Sequence, residues 1–271
     1  YNHWDIREDL VAQGTVFETT SDTETVIEGY AQYGSEIFEK LNGIFALALY
    51  NISTNELILV RDRFGTKPLY YNLNEQSLQF SSELKTIDFD NSDLDHSALS
   101  NYIRFLWSPG TDTPANQIKK VLPGEMITIS VGDASLKSKS SFISNSGFTG
   151  KRVELSEAEL IEKVDGLLVN AVKRQLLSDV PVGFFLSGGL DSSLLVAIAK
   201  KLQPDKDIQC FTIDTSSFAE SEGFSNDLDY AKIVAKYLDV KLEVVKSEVD
   251  IAKDFDKMIW HLDEPQADPA P

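Results

Sequence analysis

Residues 187–193, which read Ser-Gly-Gly-Leu-Asp-Ser-Ser, are the residue types best suited to chemistry in this sequence. They follow a short apolar run and precede an apolar stripe at helical spacing, which predicts a strand, a small-residue loop and a helix. A helix N-terminus attracts anions, because its free N–H groups point outward and its dipole favours negative charge. Glycines let the backbone approach a phosphate, hydroxyls donate to its oxygens, and the Asp191 carboxylate can hold a Mg²⁺ that neutralises a polyphosphate. The segment therefore predicts a nucleotide-binding loop.

This loop differs from two other loop motifs. It contains no Gly-Lys-Ser/Thr, so it is not a Walker loop, and it does not fit the Gly-x-Ser-x-Gly nucleophile elbow. The alternative is a plain glycine turn in which Asp191 is a helix-start carboxylate. All seven residues of 187–193, in their strand–loop–helix context, favour nucleotide binding over that turn.

The elements around the loop alternate between helix and strand. Ser156 and Glu159 have capping-box spacing and predict a helix that continues to Leu176. The elements that follow are strand 182–186, helix 190–202, strand 208–213, helix 228–239 and strand 241–246. This βαβαβ order predicts a Rossmann-like parallel sheet with right-handed crossovers. A ligand is expected at the carboxyl ends of its strands, where the loop lies.

The first part of the chain is typical of antiparallel sheet with one helix. Ser21 and Glu24 have capping-box spacing and open a helical stripe that reaches Leu41. Short strands joined in pairs by polar turns follow, and no helix separates them, so they cannot be parallel neighbours. Their expected bounds are 43–50, 56–61, 68–71 and 78–82. Residues 131–150, rich in Ser, Gly, Lys and Asn, predict a linker or an exposed hairpin.

Composition argues against several classes of protein. The chain has 271 residues and a formal net charge of −18, with no Lys/Arg stripe for a phosphate backbone, which argues against a nucleic-acid partner. Every apolar run ends well before the ~18 residues that a membrane span needs, and the first residues do not resemble a signal peptide. The single cysteine, Cys210, excludes an internal disulfide and fits a cytoplasmic protein.

A second signature lies at residues 61–71, which read Arg-Asp-Arg-Phe-Gly-Thr-Lys-Pro-Leu-Tyr-Tyr. Alone it is a charged turn with a Gly-Thr-Lys-Pro break. Together with residues 41–50 and with Ser-Glu-Leu-Lys at 82–85, it resembles the class II glutamine amidotransferase domain of the asparagine synthetases. Residues 187–193 resemble the loop of the ATP-pyrophosphatase (PP-loop) enzymes, whose signature is Ser-Gly-Gly-x-Asp-Ser. In this order the two are similar to the glutamine-hydrolysing asparagine synthetase family.

The resemblance implies two domains and a ligase. Residues 1–130 are expected to form an antiparallel-sheet amidotransferase domain (αββα), 131–154 a linker, and 155–271 a parallel-sheet ATP-pyrophosphatase domain, which combines α+β and α/β folds. Enzymes of this family use ATP to convert aspartate to β-aspartyl-AMP with release of pyrophosphate, and ammonia from glutamine then displaces AMP to give asparagine. The implied partners are therefore aspartate, glutamine and ATP, with Mg²⁺ as cofactor and no membrane, and a homodimer is allowed.

The resemblance also implies particular site residues. Asp22 follows Ser21 as in the family's Ser-Asp pair, whose carboxylate binds the ammonium group of glutamine, whereas alone it reads as a helix-cap carboxylate. Asp191 is the implied Mg²⁺ ligand, and Phe185, Leu186 and Ile213 match positions that contact the adenine. The implied ATP-binding residues are Phe185, Leu186, Ser187, Gly188, Gly189, Leu190, Asp191, Ser192, Ser193 and Ile213.

Other family residues have no match in this sequence. The amidotransferase nucleophile of the family is an N-terminal Cys, and a second glycine motif, Ser-Gly-Glu-Gly-x-Asp, contacts pyrophosphate; neither is found here. We therefore expect a fragment of a longer protein, inactive by itself, with no certain catalytic residue. Cys210 cannot substitute, since it lies in an apolar strand of the other domain. Residues 263–265, Asp-Glu-Pro, resemble the segment that enters the aspartate pocket, or form only a Pro-terminated helix end.

Two other functions stay open. Related synthetases close β-lactams or cyclise peptides with the same adenylation chemistry, and Lys-Leu-Glu at 241–243 departs from the His-His-Glu often found in asparagine synthetases. Outside the enzymes, the chain could be a nucleotide-binding interaction module. Retention of Asp191 and of the three loop serines argues against a remnant of this kind that has lost its enzymatic activity.

Overall fold

The computed structural model describes residues 1–75, 77–90, 92–142, 154–214, 227–246 and 251–264. Its helices are α1 (His3–Ala12), α2 (Asp22–Tyr33), α3 (Ile37–Lys40), α4 (His96–Phe105), α5 (Glu157–Gln175), α6 (Leu190–Leu202), α7 (Asp227–Leu238) and α8 (Ile251–Leu262). Its strands are β1 (Ala46–Asn51), β2 (Glu56–Arg61), β3 (Tyr70–Leu73), β4 (Leu78–Ser81), β5 (Ile118–Lys120), β6 (Glu125–Ser130), β7 (Ser135–Ser141), β8 (Gly183–Phe185), β9 (Gln209–Asp214) and β10 (Lys241–Lys246). Within the described ranges, none of these helices is both long and apolar enough to cross a membrane.

These elements fall into two compact units. The N-terminal body is drawn from residues 2–151 and 251–271, and the C-terminal body from residues 152–250. The helix α8 therefore belongs to the N-terminal body, although it follows the C-terminal body along the chain.

Two antiparallel sheets form the N-terminal body. The larger has the strand order β1-β2-β6-β7 and the smaller the order β4-β3-β5. Side chains along β2 alternate between two faces, and both faces are buried. Ile58 and Val60 pack in a cluster with residues of α1 and α3, whereas Leu57 and Leu59 pack in a second cluster with Tyr71 of the smaller sheet. A helical layer, a sheet and a second sheet are thus stacked in this order.

The C-terminal body is built on a parallel sheet with the strand order β10-β9-β8. The helix α6 connects β8 to β9, and α7 lies between β9 and β10 along the chain. A core made of Val172, Leu186, Val196, Cys210 and Ala231 joins the sheet to α5, α6 and α7. The predicted parallel βαβαβ unit and the mixed fold class are therefore confirmed.

Most predicted elements are close to the observed ones, but the expectation of one helix in the first part of the chain is wrong, because α1, α3 and α4 lie there besides α2. Helix Leu190–Leu202 and strands Glu56–Arg61 and Lys241–Lys246 have the predicted bounds. The helical stripe that was expected to reach Leu41 is broken, because α2 ends at Tyr33 and Gly34 follows with a φ of +58°. A positive φ is typical of glycine and ends a helix.

Of the two predicted capping boxes, one is confirmed and one is wrong. At α5 the Ser156 hydroxyl and the Glu159 carboxylate bond reciprocally to each other's backbone N–H groups. At α2 the Ser21 hydroxyl accepts a hydrogen bond from Thr23 N at 3.1 Å. The Glu24 carboxylate instead accepts hydrogen bonds from residues that precede the cap, including Glu18 N at 2.7 Å. The Glu24 carboxylate is therefore bound by the preceding turn and does not complete a capping box at α2.

Part of the predicted linker is a strand of the N-terminal body. β7 pairs with β6 along its length, with a register shift between Thr128 and Ile129. The hairpin alternative is therefore correct for residues 131–141. Its side chains are mostly exposed and polar, which explains why the composition resembled that of a linker. Residues 143–153 lie outside the described residues, and the domain limits 1–130, 131–154 and 155–271 stay predictions.

Candidate functional site

The predicted nucleotide loop joins β8 to α6 at the carboxyl end of the parallel sheet. Leu186 N donates a hydrogen bond to Phe211 O at 2.8 Å, which extends the pairing of β8 with β9 up to the loop. Gly188 has a φ of +81°, and a Cβ on it would lie 2.5 Å from Ala231 N of α7. Since real Cβ atoms do not approach backbone atoms so closely, only glycine fits here. The loop is therefore held against α7 by its backbone.

Two of the three serine hydroxyls of the loop lie within hydrogen-bond distance of each other. The Ser187 and Ser192 Oγ atoms lie 3.1 Å apart, and Gly189 N donates to Ser187 Oγ at 3.3 Å. The Ser193 Oγ is buried and has no hydrogen-bond partner among the described residues. An unpaired buried hydroxyl costs about 1–3 kcal/mol. An acceptor oxygen at the loop would relieve that cost, so the donor set fits a phosphate.

The first turn of α6 adds anion-binding groups to the loop. Its N–H groups have no intrahelical acceptor, as helix geometry requires, and they lie at the positive end of the helix dipole. The exposed carboxylate of Asp191 lies in the same turn. The described residues include no cluster of three or more His, Cys, Asp or Glu side chains that could hold a metal ion. A Mg²⁺ held by one carboxylate together with substrate phosphates fits this arrangement.

The apolar residues that flank the loop differ in their availability to a ligand. Phe185 is 83% exposed at the end of β8, and Ile213 is 52% exposed near the end of β9. These strands are parallel neighbours, so both side chains lie at the same edge of the sheet. Leu186 is only 1% exposed and its side chain belongs to the core. Leu186 can therefore contact a ligand only through its backbone. Leu190, the first residue of α6, is exposed.

Asp22 lies in the other body, at the first residue of α2. It is exposed and lines a groove of about 660 Å³ between α2 and β1. The rest of the lining is mainly apolar and includes Tyr30, Phe45 and Ile52. The site residues predicted from the sequence therefore form two groups, one in each body. Asp22 belongs to one, and the loop, with Phe185 and Ile213, to the other.

Arg7 positions the Asp22 turn, a role that the sequence did not reveal. Its buried guanidinium donates to Ser21 O and to Thr25 Oγ1, each at 3.4 Å, and to Thr19 O. The Glu24 carboxylate lies 3.7 Å away. These contacts fix the backbone on both sides of Asp22. No local pattern distinguishes a buried arginine from one on the surface, so only the fold identifies it.

Arg61 and Asp62, which open the 61–71 signature, use their charged groups to hold the loop that follows them. Asp62 is fully buried, and its carboxylate accepts hydrogen bonds from three N–H groups of residues 64–67, at 3.0, 3.2 and 3.3 Å. The Arg61 guanidinium donates to three backbone carbonyls, one of them Gly65 O at 2.7 Å. Both charged groups therefore serve to hold the loop.

Cys210 is the single cysteine of the chain and lies in β9. Its side chain is fully buried in the core of the C-terminal body. Burial raises the pKa of the Cys210 thiol, so little thiolate forms near neutral pH. The thiol is therefore not a nucleophile in this fold, as the sequence predicted.

Asp263 and Glu264 follow α8 in the N-terminal body. Glu264 lies 3.0 Å from the Lys120 ammonium, and Asp263 lies 3.4 Å from the Lys85 ammonium. The helix does end at Leu262, but Pro265 lies outside the described residues, so the alternative of a Pro-terminated helix end stays open.

Comparison with known proteins gives two matches in chain order. Residues 1–141 match the glutamine amidotransferase domain family, and residues 163–271 match the asparagine synthase family. Glutamine-hydrolyzing asparagine synthetase 1 of Bacillus subtilis (strain 168) is 37% identical over 100% of this chain and 41% of its own length. Glutamine-hydrolyzing asparagine synthetase 3 of the same strain is 38% identical over 73% of this chain and 32% of its own length.

A solved structure is also similar, though weakly. The glutamine phosphoribosylpyrophosphate amidotransferase of B. subtilis matches 94% of this chain and 48% of its own, with a TM-score of 0.36 and 15% identity, a likeness too low to support an argument. The chain spans no more than 41% of the length of the two curated relatives. Because the amidotransferase match covers more than half of the chain, the chain belongs to the glutamine amidotransferase domain family, and the asparagine synthase match follows that domain along the chain.

Proposed function

We propose that the protein containing this chain is a glutamine-hydrolysing asparagine synthetase of the cytoplasm. ATP adenylates the side-chain carboxylate of aspartate, which gives β-aspartyl-AMP and releases pyrophosphate. Ammonia from glutamine then attacks the activated carbonyl and AMP leaves, which gives asparagine. The observation that carries the proposal is the loop of glycines and serines before the N-terminus of α6, in a chain that matches an amidotransferase domain and then an asparagine synthase domain.

The loop would bind the triphosphate of ATP. The N–H groups of the first turn of α6 and the hydroxyls of Ser187, Ser192 and Ser193 are donors, and Gly188 and Gly189 leave room for the phosphates. Asp191 would hold Mg²⁺, which neutralises charge on the leaving pyrophosphate. The exposed side chains of Phe185 and Ile213 would flank the adenine, with Leu186 contributing its backbone.

Asp22 would bind the ammonium group of glutamine in the groove beside α2. A carboxylate with free access to solvent is suited to this, and the Arg7 contacts hold its backbone in place. Glutamine hydrolysis also needs a nucleophile. The single thiol of the chain is buried in the other body, so we expect the 271 residues by themselves to release no glutamate from glutamine.

Asp191→Asn in the full-length protein tests this proposal. Loss of the Mg²⁺ ligand leaves pyrophosphate charge uncompensated in the transition state, which is expected to slow aspartate-dependent pyrophosphate release by about 10²-fold or more. Glutamine hydrolysis should be unchanged, because Asp22 lies in the other body. Asp205→Asn, which changes an exposed carboxylate of the same body, is the matched control and should leave both activities unchanged.

Two outcomes would contradict the proposal. Equal loss of pyrophosphate release and of glutaminase would mean that Asp191 serves the fold and not the adenylation. Pyrophosphate release with a β-amino acid or a peptide carboxylate, and none with aspartate, would move the protein to the cyclising relatives.

A further inference from the structure

The segment 251–264 lies within the asparagine synthase match yet packs in the N-terminal body, whose strands belong to the amidotransferase match. The contact is made by two adjacent carboxylates at the end of α8, Asp263 and Glu264. Each carboxylate binds a different part of the N-terminal body. We refer to this pair and its partners as the 263–264 anchor.

Glu264 forms one half of the anchor. Its Oε1 accepts a hydrogen bond from Tyr70 Oη at 2.7 Å, and its Oε2 lies 3.0 Å from Lys120 Nζ. The side chains of Lys120 and Glu264 are only 10% and 12% exposed. Lys120 Nζ also donates to Ser108 O at 2.6 Å. Burial and the nearby Glu264 charge raise the pKa of Tyr70 above its ordinary value of 10.0, so the phenol stays a donor.

Asp263 forms the other half and binds the turn after β4. Its carboxylate accepts hydrogen bonds from the backbone N–H groups of Leu84 and Lys85, the latter at 3.0 Å. The Lys85 ammonium lies 3.4 Å from the same carboxylate and 4.5 Å from the centre of the Trp260 ring of α8. Burial disfavours the charged form of this lysine, but hydrogen bonds and charges of Glu83 and Asp263 outweigh it and raise the pKa of Lys85.

A buried ion pair of this kind specifies where α8 is placed more than it stabilises the body. Desolvation of a buried ion pair offsets most of its attraction, so an apolar contact of equal area would hold α8 at least as firmly. A carboxylate with a tyrosine donor on one oxygen and a lysine on the other accepts only one placement. Tyr70 begins β3 and Lys120 ends β5, so the contact positions Glu264 on the smaller sheet of the N-terminal body.

We propose that Glu264, held by Lys120 and Tyr70, is a positioning residue that keeps glutamine hydrolysis coupled to aspartate amidation. This inference rests on the proposed function. Ammonia that leaves the protein is diluted and protonated before it can react, so the amidotransferase domain and the synthase segment must keep a fixed relation during turnover. The anchor supplies that relation for residues 251–264, and none of its groups takes part in bond making or breaking.

The first test measures coupling in the full-length protein. With glutamine as donor, Glu264→Gln and Lys120→Met should each raise the ratio of glutamate released to AMP formed by about fivefold or more, the low end of typical coupling energies. For Lys120→Met, glutaminase kcat/KM and aspartate amidation with added ammonium should stay as in the parent. The double variant should be no worse than either single one, since both remove the same contact.

Lys119→Met is the matched control. Lys119 is the neighbouring residue of β5 and pairs with Asp112 at 3.1 Å, outside the anchor. It should leave the ratio unchanged. Tyr70→Phe keeps the ion pair and removes a single hydrogen bond, and it serves as the second variant if Glu264→Gln does not fold. Its ratio should also rise, by less than that of Lys120→Met.

A second readout follows α8 directly by amide hydrogen exchange. Glu264→Gln and Lys120→Met should speed exchange in residues 251–262, and Lys119→Met should not. Faster exchange with an unchanged ratio would overturn the inference, because the contact would then serve the fold alone; unchanged exchange would overturn it as well. A parent protein that shows neither glutaminase nor pyrophosphate release would instead refute the proposed function.

Discussion

Gly188→Ala should destabilise the C-terminal body strongly, for a reason visible in the backbone. At Gly188 φ is +81°, and an added Cβ would lie 2.5 Å from Ala231 N and from the Tyr230 carbonyl carbon. Both are backbone atoms of α7, which cannot swing aside as the end of a flexible side chain can. The loop or the helix must therefore shift.

The expected loss of stability in Gly188→Ala is the sum of two contributions. A non-glycine residue at positive φ costs about 1–2 kcal/mol. Forcing an extra carbon into a packed contact costs about 1–3 kcal/mol more. The free energy of unfolding of the C-terminal body should thus fall by about 2–5 kcal/mol, and the population of its open form should rise by roughly 30-fold or more.

Cys210 provides an assay that reports on this body alone. It is the single thiol of the chain and is buried in the core of the C-terminal body. A thiol reagent therefore labels it only when the body opens. The labelling rate of Gly188→Ala under native conditions should exceed that of the parent by the same factor of about 30 or more, as long as closing is faster than labelling.

Gly189→Ala is the matched control. A Cβ at Gly189 would meet only the Ser187 Oγ, at an ordinary 3.4 Å, and its φ of −67° suits any residue. Its labelling rate should stay close to that of the parent. A Gly188→Ala protein that labels as slowly as the parent would refute the argument from the close approach of the loop to α7.

Two further predictions concern other parts of the chain. Asp62→Ala removes the acceptor of three N–H groups and should lower the free energy of unfolding of the N-terminal body by about 2–4 kcal/mol. Urea denaturation followed by tryptophan fluorescence measures this, because all three tryptophans lie in that body. Asp9→Ala, on the exposed side of α1, should change the same free energy by no more than about 0.5 kcal/mol. Hydrogen bonds from Ser156 hold the pKa of Glu159 below its ordinary value of 4.5, so the folded pKa is lowered and the stabilisation of α5 is lost as pH falls from 4.5 through that lower value. Amide exchange in the first turn of α5 should show this pH dependence, and Glu159→Gln should remove it; identical profiles would contradict the cause.

The sequence by itself determined the order of elements around the candidate nucleotide loop, and the loop itself. The bounds of α6 and of β2 followed from apolar periodicity and from glycine and serine positions, which are properties of neighbouring residues. The Ser156 capping box was predicted for the same reason, since its partners are three residues apart. Local hydrogen bonding and side-chain direction repeat along the chain, so a pattern in the sequence reports them directly.

Only the tertiary structure decided which charged residues are buried and what they contact. Glu24 bonds to the turn before its helix, Arg7 reaches Ser21, and Lys120 pairs with Glu264, 144 residues away. The tertiary structure also placed the Leu186 side chain in the core, although the neighbouring side chains along the chain face solvent. These contacts depend on how distant segments pack. A charged side chain has the same local pattern whether it ends in water or against a distant partner, so its role is set by the fold and not by its neighbours along the chain.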